Sequence, residues 1–222
     1  MISDDFSNSL KREYVLFLTA LNGRYLQMRA PGIEISPRAL QDLRHDLVNL
    51  AETFVNSVSA QVESYADSMA FGGTVELVND LVGRKLNAEK FIRKSVYENI
   101  TDVVRVAKAG IGGVGDLLTH DAGSLGALIQ KKEGAINFTL KTPTGRRWQA
   151  TTLFGVVLRD FAYQSFVDAQ IDGIKQKGET MFSIVNGDGE TMGDYLIDDL
   201  EEVRSVYFHL NSHSLVTYVS AE

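Results

Sequence analysis

At 222 residues the chain is long enough for one domain or two small ones, and 44% hydrophobic against 23% charged residues is enough apolar material for a buried core. The 29 acidic and 22 basic side chains leave a formal net charge of -7, which speaks against a general nucleic-acid coat while allowing a local basic face. With no cysteine, disulfide frameworks, thiol nucleophiles, Cys-ligated zinc and iron–sulfur clusters are excluded. The start, Met1-Ile2-Ser3-Asp4-Asp5, lacks the basic-then-apolar order of a secretion signal. Tyr14–Leu21, the most apolar early stretch, falls far short of the ~20 residues of a membrane span, so no membrane association is expected.

The first 110 residues read as helices. One over about Phe6–Asn22 carries Val15, Leu16, Leu18 and Leu21 and stops near Gly23. Ser36-Pro37 is a helix start, a capping hydroxyl followed by proline at the first helical position. Leu40, Leu43, Leu47, Leu50, Phe54, Val58, Val62, Tyr65 and Met69 then recur every 3.6 residues on average, and Phe71-Gly72-Gly73 ends the run. A helix so long with one apolar stripe needs a partner along its length. Thr74–Leu86 reads as a short helix. A third long one begins around Asn87, with Ile92, Val96, Ile100, Val103 and Ala107 on one face and Gly110 as its stop.

Ala109–Gly126 holds six glycines. Residues 111–133 are therefore read as a glycine-rich joint between a helical region, 1–110, and an α+β domain, 134–222. In that domain Ile136, Phe138 and Leu140 alternate with polar neighbours, Thr142-Pro143-Thr144-Gly145 is turn chemistry, and Arg146–Thr151 returns as the second strand of a β-hairpin. A helix over about Thr152–Lys177 follows, apolar on most sides, with Asp160, Gln164, Asp168, Asp172 and Lys175 on one narrow stripe. Lys175, Lys177 and Gly178 close it. Trp148 lies a few residues before this helix and is expected to be buried against Phe154, Leu158 or Phe161. Met181–Val185 is a short strand, and Val206, Phe208 and Leu210 with Leu215–Val219 read as a closing strand pair around Asn211-Ser212. The fold class expected is α+β: long N-terminal helices, then a compact domain with a β-hairpin, a central helix and short antiparallel strands.

Charge is unevenly spread. Arg84–Lys108 holds seven basic and three acidic residues, whereas Asn186–Val203 holds seven acidic residues and no basic one. Such runs are solvated faces or complementary patches that dock subunits or partners.

Few residues are arranged for chemistry. Gly110, Gly112 and Gly115, with Glu133 beyond, match G-x-G-x-x-G, but helical spacing precedes them where a dinucleotide site needs a strand. A glycine hinge is the simpler reading, and a small nucleotide-binding enzyme using the Gly110–Gly115 loop is the alternative. His209 and His213 are four apart without the glutamate of H-E-x-x-H. Asn186, Asp188 and Glu190 alternate like part of a calcium loop, yet Thr191 stands where that loop needs glycine. There is no G-x-S-x-G, and the Ser, His and Asp residues are too scattered to nominate a triad. No catalytic, cofactor-binding or metal residues are assigned, and a non-enzymatic role is expected.

The stretch Gly134-Ala135-Ile136-Asn137-Phe138 through Gly145-Arg146-Arg147-Trp148, then Val156-Val157-Leu158-Arg159-Asp160 and Lys177-Gly178, resembles the shared region of tailed-bacteriophage minor capsid (head-morphogenesis) proteins. That region has a G-R-x-W hairpin, a helix with a V-x-R-type element, a glycine at the helix end and a short strand. The resemblance covers about Gly134–Glu190. It singles out Gly145, Arg147, Trp148, Arg159 and Gly178 as structural or interface residues. It departs from the family at Thr152-Leu153, where tyrosine is common, at Asp160, where threonine is usual, and in lacking the downstream Cys/His segment. What the resemblance implies is a virion component of the head or neck region, present in the host cytoplasm during assembly. Its partners would be portal and/or major capsid proteins, with several copies per assembly and no cofactor. A DNA-contacting packaging accessory using Arg84–Lys108 and Lys131–Arg147 against phosphates is a further alternative.

Overall fold

The computed structural model describes residues 2–29, 36–111, 135–142, 144–208 and 214–219. Its elements are α1 (Ile2–Met28), α2 (Pro37–Ala70), α3 (Val75–Ile111), β1 (Thr139–Lys141), β2 (Arg147–Gln149), α4 (Ala150–Gln176), β3 (Met181–Val185), β4 (Thr191–Leu196), a 3-10 turn (Ile197–Asp199), α5 (Leu200–Tyr207) and β5 (Leu215–Thr217). This is an α+β protein with long N-terminal helices and small antiparallel sheets.

Two helices are longer than the sequence suggests. α1 runs through Gly23 because Leu21 and Tyr25 on either side are both buried, which outweighs the ~1 kcal/mol a mid-helix glycine costs. Thr74–Leu86 and the helix after it are one element of 37 residues. Leu77, Leu81, Ala88, Ile92, Val96, Ile100 and Val103 form one continuous buried stripe across Gly83. α2 keeps its expected limits. The Ser36 hydroxyl accepts the Ala39 N–H at 3.1 Å, and Gly72 turns the chain at φ 74°.

Packing divides the chain into two units. The first, here the hairpin unit, comprises Asn8–Ser59 and Lys90–Gly155; the second, the sheet unit, comprises Met1–Ser7, Ala60–Glu89 and Val156–Glu222. Each unit draws on residues from before and after the 111–133 segment, which lies outside the described residues apart from Ile111 at the end of α3.

In the hairpin unit the core is aromatic. Phe154, fully buried at the start of α4, stacks on Tyr14 of α1 at 3.9 Å, with Phe54 and Phe91 around it at 6.2 and 6.0 Å. Asn99 donates its amide to the Tyr14 hydroxyl, and burial pushes that phenol well above its ordinary pKa, so it stays neutral. Asn22 holds the entry to β1 in both directions: its amide donates to the Ile136 carbonyl at 3.2 Å, and the Ile136 N–H donates to its carbonyl oxygen at 2.7 Å. An α1 side chain thus bonds both backbone groups of Ile136 at the approach to β1.

In the sheet unit, Tyr163, Val167, Ile171 and Ile174 of α4 pack on Phe182, Ile184, Val203, Phe208 and Val216. The sheet order is β4-β3-β5, with Ser183 opposite both Asp194 and Thr217 and a bulge between Ile184 and Val185. The expected closing pair is therefore corrected. Val206 lies in α5, where Leu200, Val203 and Tyr207 follow helical spacing, and β5 pairs with β3 instead. Leu210 and Asn211-Ser212 lie outside the described residues.

The adjacent face of α4 is polar and bonded. Asp168 accepts from Arg84 of α3 at 2.5 Å and from Arg204 of α5, while Gln164 accepts from Arg204 at 2.9 Å and donates to the Phe208 carbonyl. Asp172 accepts the Thr74 N–H at 3.1 Å and the Thr74 hydroxyl, and Thr74 in turn accepts the Leu77 N–H to cap α3. Burial works against the charged form of Asp172. The Thr74 and Gln176 hydrogen bonds and the Lys175 charge nevertheless hold its carboxyl below the usual range.

Two outcomes follow from this packing. Phe154→Ala should cost about 3–5 kcal/mol in urea unfolding, as a fully buried ring removed from a stack. Asp172→Asn should cost about 1–3 kcal/mol at neutral pH. Because the folded pKa of Asp172 is lowered, its contribution is complete above the unfolded carboxylate value and disappears as pH falls through the folded one. The wild-type-minus-variant difference should therefore hold from about pH 8 to about pH 5 and shrink below about pH 4; a difference constant down to about pH 2 contradicts the assignment.

Candidate functional site

The exposed face of α3 in the hairpin unit repeats at helical spacing: Lys94, Tyr97, Glu98, Thr101, Arg105 and Lys108. Beside it stands the β-hairpin. In β1, Leu140 turns inward and is buried, so Thr139 and Lys141 project on the opposite side. The antiparallel register sets Lys141 directly opposite Arg147. Like charges in a cross-strand pair are destabilising, so the hairpin concentrates positive charge at a cost to itself. Arg147 spends one donor on the Thr139 hydroxyl at 2.7 Å.

Between the hairpin and α3 lies a depression of about 420 Å³ lined by Lys94, Tyr97, Thr101, Lys141 and Arg147, with Glu98 and Asp102 inside it. It meets, across Tyr97 and Thr101, a second depression of about 460 Å³ formed with α2, where Val48, Ile100 and Val104 line the floor and Arg44, Arg105 and Lys108 the edge. The joined groove thus carries six cations and two carboxylates. Asp102 pairs with Arg105 at 2.9 Å, and its carboxyl is raised by burial against the opposing charges of Arg105 and Arg147. Glu98 stands 3.8 Å from Lys94.

The residues singled out by the family resemblance divide between the units. Gly145 closes the hairpin turn at φ 83°, its N–H donating to the Thr142 carbonyl at 2.9 Å, so its role is conformational. Trp148 follows Arg147 on β2 but is half-buried, opposite Leu140, with the Arg146 guanidinium 6.0 Å from its ring. This corrects the expected burial. α4 begins at Ala150, and the aromatic cover of Phe154 comes from Tyr14, that of Phe161 from Phe6 and Tyr65. Arg159 and Gly178 belong to the sheet unit. There Arg159 is half-buried beside Asp160, whose carboxyl burial raises above the usual range although the Gln164 hydrogen bond and the Arg84 and Arg159 charges work against the rise. Gly178, at φ 79°, ends α4 with its N–H on the Lys175 carbonyl at 2.9 Å.

Of the glycine motif, Gly110 is in the last turn of α3, while Gly112, Gly115 and Glu133 lie outside the described residues, as do His209 and His213. Asn186, Asp188 and Glu190 form the β3–β4 turn. The Asn186 side-chain oxygen Oδ1 accepts the N–H groups of Asp188 and Glu190 at 2.9 Å each, which makes this an Asx-type turn. Among the described residues no three His, Cys, Asp or Glu side chains are grouped to hold a metal ion, and no helix is long and apolar enough to cross a membrane.

Compared with protein-family models, curated proteins and solved structures, the chain matches none. What can be argued rests on its own residues. The two basic stretches noted in the sequence meet only in part. Lys94, Arg105 and Lys108 converge with Lys141 and Arg147, Arg84 is committed to Asp168 in the sheet unit, and Lys131 lies outside the described residues. Arg44 and Tyr97 were not singled out beforehand. Lys94, Arg105 and Lys108, eleven and three apart and so on one face of α3, were the available signal.

As the chain's one tryptophan, Trp148 reports on this hairpin. Its emission should fall between buried and fully exposed positions, and acrylamide should quench it partially. Trp148→Ala should cost about 1–2 kcal/mol, below the cost of emptying a fully buried site. Fully blue-shifted, quencher-resistant emission would contradict the half-buried placement.

Proposed function

We propose that this chain is a non-catalytic structural component of a tailed-bacteriophage head or neck, binding portal and/or major capsid proteins in several copies. The observation that carries this reading is an apolar row on the sheet-unit part of α3. Val75, Val78, Val82 and Leu86 are spaced three or four apart, and Phe71 precedes them in the turn. Phe71 is 91% and Val75 78% exposed, and all five side chains face solvent in the free chain. An amphipathic stripe left uncovered on a long helix is what an assembly protein offers a partner. The Gly134–Glu190 resemblance supplies the family in which that partner is sought, and the polar bonding of α4 supplies the rigid support.

The test is co-sedimentation with the portal and major capsid proteins encoded by neighbouring reading frames. Val78→Glu with Val82→Glu should abolish it. Both positions are exposed, so the free protein's unfolding free energy, measured in urea, should change by no more than about 0.5 kcal/mol per substitution. Undiminished co-sedimentation by the double variant, or none by the wild type, overturns the reading.

A further inference from the structure

The groove on the hairpin unit and the β4–α5 surface on the sheet unit are opposite in charge. Asn186–Val203 carries seven carboxylates. Three have partners within the unit: Glu190 with Asn186, Asp194 with Ser183, and Glu201 with Arg204. Asp198, Asp199 and Glu202 are exposed, and beside them Leu196 and Val206 are 47% and 59% exposed. That segment is an acidic, amphipathic turn and helix with apolar side chains at its surface.

We propose that the groove lined by Arg44, Lys108, Lys141 and Arg147 receives the acidic segment Leu196–Tyr207 of a second copy of this chain. The groove's charge is one half of the argument, with six cations against two carboxylates. Its floor is the other half. The half-buried Val48 and Val104, with half of Tyr97, offer apolar surface to Leu196 and Val206, whereas a phosphate backbone has nothing to set against it. Glu98 and Asp102 stand inside the groove and repel a polyphosphate, while single carboxylates on a helix can be arranged around them. Lys141 opposite Arg147 gains the counter-charge its own strand pair lacks. The contact joins two different surfaces, so each copy keeps one of each free, and association proceeds to a closed ring or an open chain. This inference goes beyond the proposed phage role and holds for any particle the chain builds.

The experiment is sedimentation velocity on the full chain with two charge-reversal variants, circular dichroism confirming unchanged helix content. One variant carries Lys108→Glu and Lys141→Glu; the other carries Asp198→Lys and Glu202→Lys. All four positions are exposed. The wild type should associate with rising concentration, and its dissociation constant should increase about tenfold or more between about 0.05 M and about 0.5 M salt. Each variant alone should be monomeric, and an equimolar mixture of the two should associate again, because reversed groove and reversed segment attract. Three results overturn the proposal: a wild type monomeric at all concentrations, a groove variant that associates like the wild type, or a mixture that fails to recover. A fourth arm adds a labelled DNA duplex. Salt-sensitive binding that the groove variant loses, without self-association, makes the groove a nucleic-acid site and likewise overturns it.

Discussion

The sheet unit depends on one buried carboxylate. Asp168, almost without solvent exposure on the polar face of α4, accepts from Arg84 on α3 and Arg204 on α5, so one side chain fixes three helices. A carboxylate there is costly to bury alone; two guanidiniums and the neighbouring Gln164 make the site tolerable. One turn later Asp172 ties down Thr74, the residue that caps α3, so the start of that helix is set by α4 rather than by propensity alone. Apolar packing on the sheet needs no such directionality. The polar face sets the register of α3 and α5 against α4, and the apolar face supplies the larger burial.

The hairpin unit relies on contact rather than charge. The Tyr14–Phe154 stack brings α1 against the first turn of α4, and at Gly155 an added Cβ would stand 3.0 Å from the Lys11 side chain. With the start of α4 fixed, β2 immediately before it is fixed too, since the Ala150 N–H donates to the Phe138 carbonyl at 3.0 Å. The groove between the hairpin and α3 is therefore built on ordered backbone on both sides. Its cations are positioned by the register of β1 and β2 and by the helical period of α3.

Much of this was legible in the sequence, and the failures have physical causes. The 3.6-residue period and Ser36-Pro37 located α2 to within a residue, because capping and periodicity there point the same way. Gly23 misled because an isolated glycine in a helix costs little when Leu21 and Tyr25 on either side are buried, and the break read between Leu86 and Asn87 vanishes because the buried stripe Leu77, Leu81, Ala88 and Ile92 runs across it. β4 was hidden by its weak alternation: only Gly193 and Tyr195 turn inward, and its one acid, Asp194, sits in the strand with its carboxylate on Ser183. Val206 and Phe208 alternate like a strand, but Leu200, Val203 and Tyr207 outweigh them with a helical face. The polar stripe of α4 was visible at spacing 160, 164, 168, 172. That it faces Arg84, Arg204 and Thr74 is tertiary information no local pattern carries.

The acidic run divides into carboxylates the fold uses and carboxylates it does not. Glu190 and Asp194 brace the β3–β4 hairpin, and Glu201 meets Arg204 at 3.6 Å. Asp198, Asp199 and Glu202 stand outward within five residues of one another around the start of α5, where the helix dipole favours their charge but no ion pair of the kind Asp168 makes holds them among the described residues. At the hairpin Lys141 stands opposite Arg147, and Asp102 offsets that positive charge in part. Neither cluster is needed to define the backbone: Gly145 and Asn186 set the turns, and Leu140, Phe182 and Ile184 set the buried faces. In the free chain both clusters are hydrated and screened by salt, so the fold does not depend on them, and because the two surfaces are opposite in sign each offers the other a direct counter-charge in place of solvent.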